Sequence, residues 1–553
     1  MTDTFALALE AHRSGQLPDA ERLYLQVLAE QPGHANALNN LGTVCVQGGD
    51  LQRGLHFYNK ALAIEPGRTD TLCNRGNLRL AQDRPADALS DYDSVICLDT
   101  DSLGALYGRG LALGMLGRPD EALQALDHAL RLKPDHVRAE TQRAALLLSL
   151  ARLDEALAAY RLAWATEPGS AKLAQQCATI LWGLKRTDEA LAVFDQAMAL
   201  GGDNRELHTI RASLLEGAGR FEEAMRAADR ALVCDPAYAE AYTTKGTTAL
   251  SMGDHRTGWA LMEWRWKTEE TAPHYRALPQ PQWSIKGPTA GQTILLHAEQ
   301  GAGDSLQMLR YAPLLARMGA AVIVCAGPEL TGLAAQVQGV GQVCRLTDKV
   351  LPAFDQHCPM MSLPFAFGTN ADSIPNDVPY LTASQSLTAE WLRRLPGDGR
   401  LRVGLTWSGS PNQANDHNRS LPMHALRALD GLGAQFISLQ PRYREGDREQ
   451  LAAGPVVHDV SPLLTDFDQT AALVETLDLV ISVCTSTAHL AGGMGKPVWV
   501  MLAKKPDHRW GMEGRASRWY PTARLFRQSQ AGDWDPVVAE IRDELSALIS
   551  ARA

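Results

Sequence analysis

The stretch TILLHAEQGAGDSLQMLRYAPLL (Thr293–Leu315) decides the fold class of the second half of this chain. It opens with a short apolar run, turns through Gly301, Gly303 and Asp304, and re-enters helical periodicity from Leu309 to Leu315. An apolar run of that length bounded by glycines predicts a buried strand, and the turn after it predicts a strand–loop–helix unit with Asp304 at the helix start. AAVIVCAG and PELTGLAAQV continue as strand and helix. The alternation restarts at Leu401 with LRVGLTWSGSP, MHALRALDGL, AQFISLQ, DQTAALVETL, DLVISV, STAHLAGGMG and PVWVML. Two such runs predict two doubly wound α/β domains, with ligand in the cleft at the carboxyl ends of the strands. Ser305 and Leu306 follow Asp304 where a dinucleotide GxGxxG turn would need its third glycine, which disfavours a nicotinamide enzyme.

Everything upstream reads differently. Rows of 34 residues counted from Met1 need no gap for seven rows, and an eighth stays in register to about Trp266. The eighth place of every row is Ala or Gly, from Ala8, Gly42 and Gly76 to Gly246, and so is the twentieth, from Ala20, Gly54 and Ala88 to Gly258. Tyr24, Tyr58, Tyr92, Tyr160 and Phe194 share the twenty-fourth place, and Pro32, Pro66, Pro134, Pro168 and Pro236 come near the row ends. Small residues at fixed places let paired helices approach closely, aromatic rings fill the neighbouring gap, and the prolines stop the second helix. This pattern resembles the tetratricopeptide repeat over residues 1–270. The resemblance implies a concave groove lined by the first helix of each pair, with Asn39, Asn40, Asn74, Tyr107, Gln142, Gln175 and Gln176 facing inward. Such amides and hydroxyls can bond the backbone of an extended polypeptide.

A chain of 553 residues needs more than one core. The boundaries read as a repeat domain over 1–270, a linker over 271–292 marked by Pro273, Pro279, Pro281 and Pro288, a first Rossmann-like domain over 293–395 and a second over 396–553 with a final helix. In GWALMEWRWK, Trp259 and Trp266 stand seven apart, which predicts one helical face able to dock the last repeat on the second half. A net charge of -10 argues against a nucleic-acid binder held by phosphate contacts. The nine cysteines form no CxxC pair and read as reduced. A polar, acidic N-terminal segment and the lack of a long apolar run predict a cytoplasmic protein without a membrane span.

GAGD, GLTWSGSPNQANDHNRSLP and DLVISVCTSTAHLAGGMGKPVWVML resemble the lipopolysaccharide heptosyltransferase type of glycosyltransferase, over about Thr293 to Arg527. A repeat array before such a domain is similar to bacterial flagellin glycosyltransferases and, more distantly, to cytosolic protein O-linked sugar transferases. The fold implied is an all-α tetratricopeptide superhelix followed by an α/β GT-B fold of two facing Rossmann-like domains. The function implied is inverting O-glycosyl transfer from a nucleotide sugar to Ser or Thr of a polypeptide, with flagellin as the partner. A lipopolysaccharide-type acceptor and a non-catalytic scaffold are the alternatives.

The resemblance makes Asp304 the general base. A helix start stabilises its anion, so it would be a weak base that accepts a proton late. Thr485 to Ala488 follow a strand and open a helix, which by geometry is a phosphate site for Thr485, Ser486 and Thr487, with His489 one turn in. The resemblance adds Gly303, Ser408 and Arg419 to the donor site, and it expects an aspartate where this chain has Cys484. Lys504, Lys505, Arg509, Arg515 and Arg518, with Arg524 and Arg527, stand against only Asp507 and Glu513 in their segment. Such a surface suits an anionic donor, a CMP-linked acidic sugar among them. Asp466 and Asp468, like Asp533 and Asp535, precede helices and read as helix-start chemistry, so neither a metal nor a cofactor is expected.

Overall fold

In the computed structural model the chain forms two compact units, Met1–Asp203 and Asn204–Ala553. The structure describes residues 4–184, 186–201, 204–272, 277–410, 416–453 and 457–552. Pro273 of the linker and residues 411–415 of the loop motif lie outside them.

The first unit is a run of helical hairpins. First helices begin at residues 35, 69, 103, 137 and 171, and second helices at 17, 51, 85, 119, 153 and 187, so the spacing of 34 residues never slips. The repeated small residues lie where paired helices touch. Ala8, Ala20, Ala88, Ala122, Ala156 and Ala190 are fully buried. A Cβ on Gly42 would sit 2.7 Å from the Tyr58 ring, and one on Gly76 2.8 Å from that of Tyr92. Between the two helices of each pair the chain turns through a left-handed residue at the fifteenth place. Gly15, Gly49 and Gly117 take it without strain, whereas Asp83 and Ala151 adopt it with φ of 56° and 57°.

The second unit begins with two more hairpins, Arg205–Gly217 with Phe221–Cys234 and Ala239–Ser251 with His255–Met262. These last two repeats belong to the same compact unit as the sheets, so the compact units divide near 203 while the helical repeats run on to Met262. The expected tryptophan face is also different. The final helix ends at Met262 and Glu263–Lys267 is a 3₁₀ turn, which breaks the seven-residue spacing. Trp259 is buried edge-on to His508, 5.6 Å between rings, while Trp266 lies under the Arg265 guanidinium at 4.5 Å.

Two parallel sheets follow. The first contains β1 (Thr293–His297), β2 (Ala321–Ala326), β3 (Val340–Arg345) and β4 (Gln356–Pro359) in the order β3-β2-β1-β4. The second contains β5 (Leu401–Thr406), β6 (Ala434–Ser438), β7 (Val457–His458), β8 (Leu479–Val483), β9 (Val498–Leu502) and β10 (Ala523–Arg527) in the order β10-β9-β8-β5-β6-β7. Ile294 to Leu296 and Val480 to Ile481 are buried on both faces, as strands covered by helices must be. Each order reverses once, between β1 and β4 and between β5 and β8. At such switch points neighbouring loops diverge and leave a crevice.

MHALRALDGL is a 3₁₀ turn, Met423–Leu429, where an α-helix was expected. Its buried Met423, Leu426 and Leu429 recur every three residues, the spacing that a 3₁₀ turn brings into line. PELTGLAAQV contributes only the short helix Thr331–Ala335. No helix among the described residues is long and apolar enough to cross a membrane.

Candidate functional site

The loop leaving β1 runs into the helix Ala302–Met308, and the loop leaving β8 into the helix Ser486–Gly493. The two helix starts meet. Gly303 approaches so closely that a Cβ there would sit 3.2 Å from His489 Cδ2 and 3.4 Å from Ser486 Cα. Gly303, Asp304, Ser486 and His489, far apart in sequence, therefore share one place between the two sheets.

Asp304 stands in the first turn of its helix, but Gly301 is the N-cap. The Asp304 carboxylate takes a hydrogen bond of 2.5 Å from Arg509 Nη2. Arg509 also reaches Asp507 Oδ2 at 2.9 Å and Gln307 Oε1 at 2.6 Å. One guanidinium thus serves two carboxylates, and they separate. Burial alone would raise Asp507, but Arg509, His508 and the Arg509 backbone N–H hold it well below the usual carboxylate range. Burial raises Asp304, Arg509 opposes and the Asp507 charge adds to the rise. The expectation that the helix start would leave Asp304 a weakened base is therefore reversed: removal from water outweighs the favourable charges.

The switch point of the second sheet lies opposite. Arg419, from the loop after β5, donates to Cys484 O at 3.2 Å and so bridges the ends of β5 and β8. Its Nε pairs with buried Asp416, which Arg444 also contacts. Ser408 is buried, and its Oγ finds no partner among the described residues. Thr485 is the N-cap of the Ser486–Gly493 helix, its hydroxyl 3.0 Å from that of Ser482, and Thr487 is buried in the first turn. His489 Nδ1 lies 2.9 Å from the Tyr520 hydroxyl and its ring stacks on Trp510. Burial and the charge of Arg509 depress its pKa to about 3, so it stays neutral. Cys484 receives the Trp510 indole N–H at 3.0 Å, and burial pushes its thiol up to about 11. A neutral thiol therefore stands where the resemblance expects a carboxylate.

The basic segment is not the free cationic surface that its composition implies. Lys505 pairs with Glu216 of the helix Arg205–Gly217, Arg509 with Asp304 and Asp507, and Arg515 with Glu540 and Glu544. Arg524 also binds Glu544, and Arg527 donates to backbone carbonyls from Trp510 to Gly514. Lys504 and Arg518 are exposed and keep no acidic partner among the described residues. Apart from Asp507, the neutralising acids lie outside the segment, where a local count cannot find them. The same segment instead links the last repeats to Asp304, because Lys505, His508 and Arg509 hold Glu216, Trp259 and Asp304 in turn.

In the repeat groove the predicted lining residues divide. Asn39 is buried and already bonded to its neighbours: its Nδ2 donates to Asn40 at 3.1 Å, and its Oδ1 accepts from Thr71 at 2.9 Å and Asn74 at 3.1 Å. Asn40 donates to the Tyr24 hydroxyl at 3.3 Å, and Tyr107 lies 5.4 Å from the His136 ring. The side-chain amides of Gln142, Gln175 and Gln176 make no hydrogen bond among the described residues.

Tetratricopeptide repeat models match residues 5–69, 73–137 and 107–171, and a second model of the same repeat matches 147–214. The chain is similar to protein FlbA of Caulobacter vibrioides, with 25% identity over 333 residues, 54% of this chain and 54% of that protein. It thus spans about half the length of the curated relative it matches. Among solved structures it is similar to a tetratricopeptide repeat protein from Parabacteroides merdae, with 22% identity, 42% of this chain and 92% of that one covered, and a TM-score of 0.34. YrrB, a tetratricopeptide repeat protein with an unusual peptide-binding site, is also similar, with 22% identity, 33% and 95% covered, and a TM-score of 0.29.

Two further residues were not singled out in the sequence. Glu299, two residues beyond β1, is buried against Arg265 of the 3₁₀ turn, with Nη2 contacts of 2.8 and 3.1 Å, and accepts the Met361 N–H at 2.9 Å. Burial pushes Glu299 up to about 7, against the pull of Arg265. Its position just after an apolar run was the available signal. Arg265 carried none, because the residue it meets is 34 positions away. Chemically, the cleft combines a carboxylate of raised proton affinity with a facing helix start whose N–H groups and neighbouring Arg419 favour an anion.

Proposed function

We propose that this chain is a protein O-glycosyltransferase with inversion, in which the sheets form a GT-B cleft and the repeats hold the polypeptide acceptor. The observation that carries this reading is the meeting of Asp304 with the Ser486–Gly493 helix start between two switch points. In the proposed reaction a Ser or Thr hydroxyl of the acceptor attacks the anomeric carbon as the bond to the nucleotide phosphate breaks. The hydroxyl proton passes to Asp304, and the phosphate charge is taken by the helix start and Arg419, without a metal. Repeats of this kind suit a polypeptide partner, and flagellin is the acceptor we would try first.

The bond from Arg509 to Asp304 favours a second reading, a non-catalytic scaffold, because an arginine paired with one carboxylate oxygen stabilises the anion and weakens it as a base. Incubating the purified protein with EDTA, a panel of nucleotide sugars that includes CMP-linked acidic sugars, and flagellin separates the two. Transfer or donor hydrolysis seen by mass spectrometry supports the enzyme. Tight binding of polypeptide with no donor turnover supports the scaffold.

A further inference from the structure

A doubly wound sheet takes its ligand in the crevice at its switch point. In the first sheet that crevice lies beyond the ends of β1 and β4, between the loops that carry Glu299 and Ser362. It is filled by the chain itself. Arg265, 4% exposed, comes from the turn that ends the last repeat and donates through Nη2 to Glu299 and, at 2.8 Å, to Ser362 Oγ. Through Nη1 it binds Glu263 Oε1 at 2.9 Å and Met262 O at 3.0 Å, and the Trp266 ring covers it. Its Nε has no partner among the described residues. A planar fork that reaches both loops of a switch point and stacks on an aromatic ring is held in the manner of a bound guanidinium ligand.

We propose that Arg265 is the resident occupant of this crevice, an intramolecular plug that denies it to small acceptors and leaves the polypeptide on the repeats as the acceptor. The occupancy stands on geometry alone; the consequence for the acceptor rests on the glycosyl-transfer reading. Arg265 fills the space and its charge is taken up by Glu263 and Glu299, so a phosphorylated lipid-sugar precursor finds neither room nor an unpaired cation there.

Arg265→Ala, titrated with millimolar 1-ethylguanidinium, tests the occupancy. Saturable binding by calorimetry and a rise in melting temperature of about 2–4 °C are expected in the variant. Neither is expected in the wild type, nor in the variant when Glu299→Gln is added. Failure of the variant to bind, or equal binding by the wild type, overturns the plug. If Arg265→Ala does not fold, Arg265→Lys keeps the charge but cannot bridge both loops. Hydrogen exchange should then rise in residues 298–303 and 360–363, and unchanged exchange refutes the proposal. Given an active donor, the open variant should hydrolyse it several-fold more per transfer, and ethylguanidinium should reverse this. Rescue of binding without any turnover in the wild type would leave the plug standing and remove the glycosyl-transfer reading.

Discussion

Changing Glu299 to Gln should alter the pH dependence of stability, because the carboxyl titrates near 7 when folded against an ordinary value of 4.5. A raised carboxyl pKa means that the folded state holds the proton more tightly. Its stabilising effect is complete below 4.5 and is lost as pH rises through 7. At pH 5.5 the native group is mostly protonated and the unfolded one mostly ionised; at pH 8 both are ionised. The wild type should therefore lose about 2 kcal/mol relative to Glu299→Gln between those two pH values. The buried histidines His489 and His508 titrate the same way in both proteins and cancel in the difference. Urea unfolding followed by tryptophan fluorescence is the assay, since ten of the twelve tryptophans lie beyond residue 203, in the unit that contains Glu299. Parallel stability curves for the two proteins would refute the reasoning, and Glu299 would then be fully ionised against Arg265 at both pH values.

Asp304→Asn should abolish transfer while donor affinity stays within a few-fold, measured by calorimetry beside turnover, because the amide keeps the shape and loses the base; near-normal turnover would leave Asp304 only its bond to Arg509. Ala151→Gly should stabilise the first unit by roughly 0.5–1 kcal/mol, since it relieves a left-handed alanine; a lower melting temperature would contradict the turn geometry. Deleting residues 1–203 should leave a folded protein that keeps donor hydrolysis but modifies polypeptide at least tenfold less efficiently, because remote contacts position the acceptor. Undiminished modification by the truncated chain would assign the repeats another role.

The parts legible in the sequence were those whose physics is local. Helix pairing in the repeats follows from Ala8, Ala20 and their counterparts because a small residue is needed wherever two axes approach, and that need recurs with the period. Strands β1, β2, β5, β6, β8 and β9 were legible because their apolar runs sit between turn residues. β3 was not, since VGQVCR is half polar and is held at a sheet edge by pairing with β2. The length of the last repeat helix was overread for a similar reason: the Glu263–Lys267 turn is pinned by Glu299 and Ser362, residues no helical window contains.

Charge shows the limit most clearly. Lys505, Arg509 and Arg515 look like donor-binding cations when counted against Asp507 and Glu513, yet folding brings Glu216, Asp304, Glu540 and Glu544 to them. A cation already paired attracts a distant anion weakly, because its field is cancelled beyond a few ångströms. The charge left to meet a phosphate is therefore small: Arg419 and Arg444 share the single carboxylate of Asp416, which leaves one net positive charge beside the helix start, and Lys504 and Arg518 are exposed. The paired cations do different work. Arg509, shared with Asp507, opposes the rise that burial gives Asp304, and Lys505, four residues earlier, fixes that segment to a repeat helix. The helix Arg205–Gly217 of the last repeats thus anchors, through Glu216, the same segment that holds Asp304. Within the second unit, the last two repeats therefore lie one short segment, Lys505–Arg509, from Asp304.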